Sequence, residues 1–200
     1  MAVSDAAKSY NYLGLEIRPL VASYARERVI VHDVGGHLDY IGCNANVDLR
    51  RILARYHQQQ QPSDDVTDSS SSPGLQLQRV SIQFPDPHFK SKRAKRRVVT
   101  RELVNILAAN MPTDGTGIIF LQSDVQSMLD DMRFRFRESP AYFRDSLEDM
   151  TSYVPDNMMG VATEREVSVL KQDKPVYRSV FTRTAEPYVA EHAELPTLEL

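Results

Sequence analysis

"SIQFPDPHFKSKRAKRRVV" (81–99) decides how the rest of the chain is read. Ser81 to Phe84 close an alternating apolar run, which predicts a strand. The strand meets Pro85-Asp86-Pro87. Two prolines remove backbone donors and stiffen the chain around one carboxylate. A carboxylate held that way can accept hydrogen bonds from the N1–H and amino group of a guanine edge. It can equally position a cationic methyl donor, or be a solvated Asp in a proline-rich turn. Lys90, Lys92, Arg93, Lys95, Arg96 and Arg97 follow, a quarter of the 24 Lys and Arg of the chain. Such a block suits phosphate contacts. A solvated face or a nuclear import signal has the same composition. His88 and Phe89 are placed to stack on an exposed base or to pack half-buried.

Outward from this stretch the pattern repeats. "NYLGLEI" (11–17), "LDYIGCNA" (38–45), "LQLQRVSIQF" (75–84) and "GTGIIFLQSD" (115–124) read as strands. Helical spacing follows each one, in "LVASYARERVI" after Pro19, "VDLRRILARYH" (47–57), "TRELVNILAANM" (100–111, with Thr100 as N-cap) and "VQSMLDDMRFRFRE" (125–138). Residues 165–183 read as two strands around a turn at Gln172-Asp173-Lys174-Pro175, with Thr163 and Glu166 at cap spacing ahead of them. Four strand–helix units argue for an α/β fold with a mostly parallel sheet, ended by an antiparallel hairpin. Ligands of such sheets sit beyond the carboxyl ends of the strands. Glu16, Asn44, Asp86 and Asp124 each close a predicted strand. An acid in the place of Glu16 suits both hydroxyls of a ribose, in dehydrogenases and methyltransferases alike.

Composition excludes several classes. The chain has 200 residues, a formal charge of −3 and one cysteine, Cys43, so no disulfide framework or cysteine-based zinc site forms within it. His32, His37, His57, His88 and His192 are scattered, which argues against a metal cluster. No Ser-His-Asp or Cys-His arrangement is evident. No apolar run approaches the roughly 18 residues of a membrane span, and "MAVSDAAKSY" lacks the apolar core of a signal peptide. Residues 58–74, "QQQQPSDDVTDSSSSPG", are polar and of low complexity, and are expected to be a disordered insertion. The domain is expected to span 1–184, with 185–200 a flexible acidic tail.

In their order, "NYLGLEIR", "NAN", "FPDPHFKSKRAKRR", "LQSD" and "TERE" resemble the tRNA (guanine-N7-)-methyltransferases over nearly the whole chain. "FPDPHFK", "QSDV" and "MGVATEREV" are most similar to the cyanobacterial and plastid branch. The resemblance implies a Rossmann-like class I methyltransferase sheet, S-adenosyl-methionine as cofactor and a guanine in the variable loop of tRNA as acceptor. It implies Asp86 as the catalytic aspartate, which also contacts the cofactor. Glu16 matches the ribose-binding acid, with Asn44 and Ala45 at the adenine. Lys90, Asp124, Thr163, Glu164, Arg165 and Glu166 match substrate contacts. Lys92, Arg93, Lys95, Arg96 and Arg97 match the tRNA-binding block, interrupted by Ala94 where the family often has a polar residue.

The family's glycine loop and the strand before it have no counterpart ahead of residue 11. The chain is therefore expected to be a fragment in which the first strand and glycine loop are missing. Two further readings stand beside the enzyme: a truncated, non-catalytic RNA-binding remnant, and a nicotinamide-dependent oxidoreductase suggested by Glu16 alone. A monomer is expected, located in plastid or cytoplasm, without metal or membrane. A partner subunit fits the plastid-like pattern less well.

Overall fold

The computed structural model describes residues 10–58, 76–86 and 97–190. The chain forms two compact units, Met1–Gln61 and Pro62–Leu200. Apart from Gln58, the low-complexity insertion lies outside the described residues. So do Lys90, Lys92, Arg93, Ala94, Lys95 and Arg96, and residues 191–200 of the acidic tail.

The first unit is a parallel βαβ arrangement with one further helix. Strand β1 (Tyr12–Glu16) pairs in parallel with β2 (Leu38–Gly42), from Tyr12 opposite Leu38 to Glu16 opposite Gly42. Gly14 faces Tyr40, and a Cβ there would stand 2.2 Å from the tyrosine ring. Glycine at this position makes room for the ring over the strand. Helix α1 (Pro19–Val31) connects the two strands, with Pro19 in its first turn, where the missing N–H costs nothing. It buries Ala22 and Val29. Helix α2 (Ala45–Gln58) follows β2.

The second unit holds β3 (Arg79–Gln83), α3 (Arg101–Asn110), β4 (Ile118–Ser123), α4 (Gln126–Arg137), β5 (Phe143–Asp145), α5 (Glu164–Leu170) and β6 (Tyr177–Arg183). Its sheet runs in the order β3-β4-β6-β5. β3 and β4 are parallel, whereas β6 is antiparallel to both β4 and β5. Ile119, Phe120 and Leu121 are fully buried, as expected of a strand covered on both faces. Met128, Leu129, Met132, Arg133 and Phe136 form the buried stripe of α4, which packs on β4, β5 and β6. Thr100 caps α3 by accepting a hydrogen bond from Leu103 N.

The four strand–helix units appear where the apolar periodicity places them. The end of the chain differs. Residues 164–170 are helix α5, not the first strand of a hairpin. Thr163 caps it by accepting from Glu166 N, and Glu166 and Val169 turn inward at helical spacing. The helix stops at Leu170, and the turn that follows reaches Asp173, whose φ of 52° is left-handed, just before Lys174-Pro175. The antiparallel end of the sheet is real, but its strands are β6 and the three-residue β5.

Candidate active site

In the first unit, β1 and β2 release their chain ends side by side. Cys43 N donates to the Glu16 carbonyl at 2.9 Å, which holds the two ends together past the last paired residues. Glu16 Oε1 accepts from the Arg18 backbone N–H at 2.9 Å and from Arg18 Nε at 3.0 Å, and Oε2 accepts from Nη2 at 3.3 Å. The Arg18 side-chain bonds hold the Glu16 carboxyl below its ordinary value, against the upward push of partial burial. Oε2 has the longest bond and retains lone-pair capacity, which fits an acceptor for sugar hydroxyls.

Asn44 stands just before α2. Its Oδ1 accepts from Asn46 N at 3.1 Å, while its own backbone N–H donates to Asp48 Oδ2 at 3.2 Å. The pair is a reciprocal cap that satisfies two donors at the helix start. Ala45 is then the first helical residue, next to the carboxyl edge of this sheet.

In the second unit, the carboxyl edge carries Asp86 and Asp124. Gln83 and Gln122 are register partners in β3 and β4, so both acids leave the same edge within three residues of a paired position. The chain leaves β3 through Phe84 at φ 48°. A bulky residue in the left-handed region just before a proline is a strained exit, costing about 1–3 kcal/mol. Phe84 N donates to the Gln122 carbonyl at 2.8 Å, which holds that conformation. Asp86 is exposed.

Asp124 is largely covered, at 16% side-chain exposure, and its carboxylate accepts from Arg165 Nη2, an exposed guanidinium. Arg165 lies in the first turn of α5, so the pair ties the end of β4 to that helix. Thr163 is half-buried, and Glu164 and Arg165 are exposed. Glu166 turns inward and is only 2% exposed. Its Oε1 accepts from Arg178 Nη2 at 2.7 Å, and its Oε2 from Gln122 Nε2 at 3.0 Å and Asn157 Nδ2 at 2.7 Å. Burial pushes the Glu166 carboxyl up, but the bonds from Arg178 and Gln122 and the Arg178 charge outweigh it, and the net shift is downward.

Of the basic block, Arg97 is described. Its Nη1 donates to Asp131 Oδ1 of α4, and both side chains are about four-fifths covered. Arg97 therefore ties the end of the block to α4 by an ion pair.

The sequence reading missed Gln122, Asn157 and Arg178. One signal was available: Arg178 falls inside the strand "YRSVFTR", where a covered cation demands a buried acid. A second cluster also passed unnoticed. Arg133, fully buried, donates to Asp145 Oδ2 and to the carbonyls of Asp149, Met150 and Ser152. Arg137 donates to the same Asp145 oxygen at 2.8 Å. The two arginines pin the loop that follows β5.

Among the described residues, no group of three or more His, Cys, Asp or Glu is arranged to hold a metal ion, and no helix is long and apolar enough to cross a membrane.

Comparison with known proteins adds to this geometry. Residues 1–179 match the family described as "Putative methyltransferase". The tRNA (guanine-N(7)-)-methyltransferase of Synechococcus elongatus is 41% identical over 187 residues, covering 92% of this chain and 75% of the relative. Enzymes of the same name from Trichormus variabilis and Thermosynechococcus vestitus are 40% and 42% identical, over 92% and 88% of this chain and 75% and 70% of their own lengths. A family match over most of the chain, and relatives this similar over most of theirs, agree with the α/β arrangement and its loaded strand ends: the chain belongs to this methyltransferase family.

Proposed function

We propose that the chain methylates N7 of a guanine in the variable loop of tRNA, with S-adenosyl-methionine as donor. One observation carries the reading. Asp86 lies on a strained strand exit at the carboxyl edge of the sheet, with a basic block directly after it, in a chain whose relatives are named for this reaction.

In this reading Glu16 accepts hydrogen bonds from the ribose hydroxyls of the cofactor, and Asn44 and Ala45 stand against its adenine. S-adenosyl-methionine, when bound, supplies a methyl on a sulfonium sulfur, which the N7 lone pair takes as the sulfur leaves as a neutral thioether. N7 carries no proton, so the chain needs no strong base. Its residues contribute orientation and charge complementarity to a purine that becomes cationic. Asp86 holds the base and offsets that charge. Lys90, Asp124, Thr163, Glu164 and Arg165 surround the acceptor nucleotide, with Glu166 buried beneath the same turn. Lys92, Arg93, Lys95 and Arg96 take the phosphates, while Arg97, paired with Asp131, braces the end of the block on α4. The Asp124–Arg165 pair is exposed on its arginine side, so opening it for substrate costs about 1 kcal/mol or less. The cyanobacterial relatives support a plastid or cytoplasmic site of action.

The test is methyl transfer from labelled S-adenosyl-methionine to unfractionated tRNA by the whole chain, beside titration calorimetry of the donor. Label in tRNA, and donor binding weakened by Glu16→Ala, are expected. Binding of tRNA with neither donor binding nor label would overturn the reading.

A further inference from the structure

Gln83, Gln122 and Arg178 lie in one row across three strands. Gln83 faces Gln122 between β3 and β4, and Gln122 faces Arg178 between β4 and β6. Register partners project from the same face of a sheet, so their side chains meet. Gln122 Nε2 reaches Gln83 Oε1 at 3.4 Å, and Arg178 Nε donates to Gln122 Oε1 at 2.7 Å. The row ends on Glu166, whose two oxygens are taken by Arg178, Gln122 and Asn157. Arg178 also donates from Nη1 to the Pro155 carbonyl at 2.7 Å.

Gln122 has a second task. Its backbone carbonyl accepts from Phe84 N, the residue that turns the chain toward Asp86. One residue therefore holds the root of the Asp86 loop through its backbone and the first turn of α5 through its side chain. Glu166 is nearly inaccessible, and both its oxygens are engaged. It has little to offer a substrate directly.

We propose that Gln122 and Arg178 are positioning residues of the methyl-transfer site. They lock Glu166 in place, and through it they set Thr163, Glu164 and Arg165 against the Asp86 loop. The substrate contacts of this turn then fall to Thr163, Glu164 and Arg165, while Glu166 works through the fold. This inference rests on the proposed tRNA methyl transfer for its kinetic readout, but the geometry has a readout of its own.

A group that sets geometry, rather than affinity, affects kcat more than tRNA binding. A misplacement of about 1 Å costs on the order of 100-fold in rate. Gln122→Ala is expected to lower kcat by roughly that factor, with KM for tRNA and the tRNA dissociation constant within about threefold of wild type.

Gln122→Glu separates positioning from simple loss of packing. It keeps the acceptor for Arg178 but replaces the amide donor with a carboxylate oxygen beside Glu166. The groups that face this pair are Arg178 from β6, Asn157 from the loop before α5, Gln83 from β3 and the Thr163–Glu166 turn itself. Two carboxylates with one guanidinium between them favour sharing a proton. The Gln122→Glu variant is therefore expected to gain activity, relative to wild type, as pH falls. A purely structural lesion would not show that recovery.

The experiment measures kcat, KM, tRNA affinity and hydrogen–deuterium exchange for wild type, Gln122→Ala, Gln122→Glu and Arg178→Lys. The exchange readout is independent of activity: faster exchange is expected in Gln122→Ala at both Phe84 and residues 164–166, far beyond any change in α3. Arg178→Lys, which keeps the charge but loses the three-way fork, is expected to show an intermediate kcat. Unchanged kcat in Gln122→Ala with an active wild type would overturn the positioning role and leave the reaction standing. An inactive wild type would overturn the reaction, and uncoupled exchange at the two segments would then overturn the positioning role separately.

Discussion

Arg178 and Gln122 face each other across β6 and β4, and the guanidinium Nε donates to the glutamine side-chain carbonyl at 2.7 Å. The same guanidinium pairs with Glu166 at 2.7 Å, where both side chains are at least nine-tenths covered. Removing one partner of a buried pair strands the other charge, which costs about 3–5 kcal/mol. Arg178→Met is expected to lose that much stability in urea unfolding. Glu166→Gln in the same chain should recover a large part of it, because no charge is then left unpaired. A loss in Arg178→Met that the second change does not reduce would show that packing, not charge, sets the cost.

The pH dependence of stability has a definite sign. Glu166 has a folded-state pKa below its ordinary value of 4.5, because its hydrogen bonds and the Arg178 charge outweigh burial. A depressed carboxylate contributes stability that is full above the unfolded pKa and is lost as pH falls through the folded one. Glu16, lowered by Arg18, contributes in the same direction. Wild type should therefore lose stability on acidification below 4.5. Glu166→Gln should lose less over the same window. Parallel curves for the two proteins would contradict the assignment.

The turn at Phe84 makes a separate prediction. At φ 48° the backbone favours glycine, and truncation to glycine or to alanine removes the ring alike. Phe84→Gly is expected to be more stable than Phe84→Ala by about 1 kcal/mol. The reverse order, usual within a strand, would mean that the turn is not held left-handed in solution.

The basic block divides into two roles. Alanine at Lys92, Arg93, Lys95 or Arg96 should each reduce the slope of log affinity for tRNA against log salt by roughly 0.7–0.9. Arg97→Ala should change the slope much less and lower the melting temperature instead, because Asp131 already neutralises Arg97 at α4. Equal slopes for all five variants would contradict that division.

Much of this was legible from residue order. The 3.6-residue and two-residue periods gave the four strand–helix units, and Thr100 marked the start of α3. The Pro85-Asp86-Pro87 loop stood out because few roles explain a carboxylate so confined. α5 did not stand out. Val167 and Val169 alternate like a strand, and only the Thr163 cap and the inward packing of Glu166 and Val169 reveal a helix. β5 is three residues long, and its pairing with β6, from Phe143 opposite Arg183 to Asp145 opposite Phe181, is tertiary information. The row of Gln83, Gln122 and Arg178 is invisible in sequence for the same reason. It depends on register across strands separated by 39 and 56 residues. Resemblance carries the Thr163–Glu166 motif whole and does not say which side chain of the turn points inward, as that of Glu166 does.

The position of the transferred methyl tests the central claim most directly. After incubation of the whole chain with tRNA and labelled S-adenosyl-methionine, the tRNA is digested to nucleosides and the label assigned. The account predicts label in N7-methylguanosine from the variable loop, and none with Asp86→Ala, although that variant keeps tRNA affinity within a few-fold of wild type. Label in another nucleoside, or undiminished N7 methylation by Asp86→Ala, would contradict it.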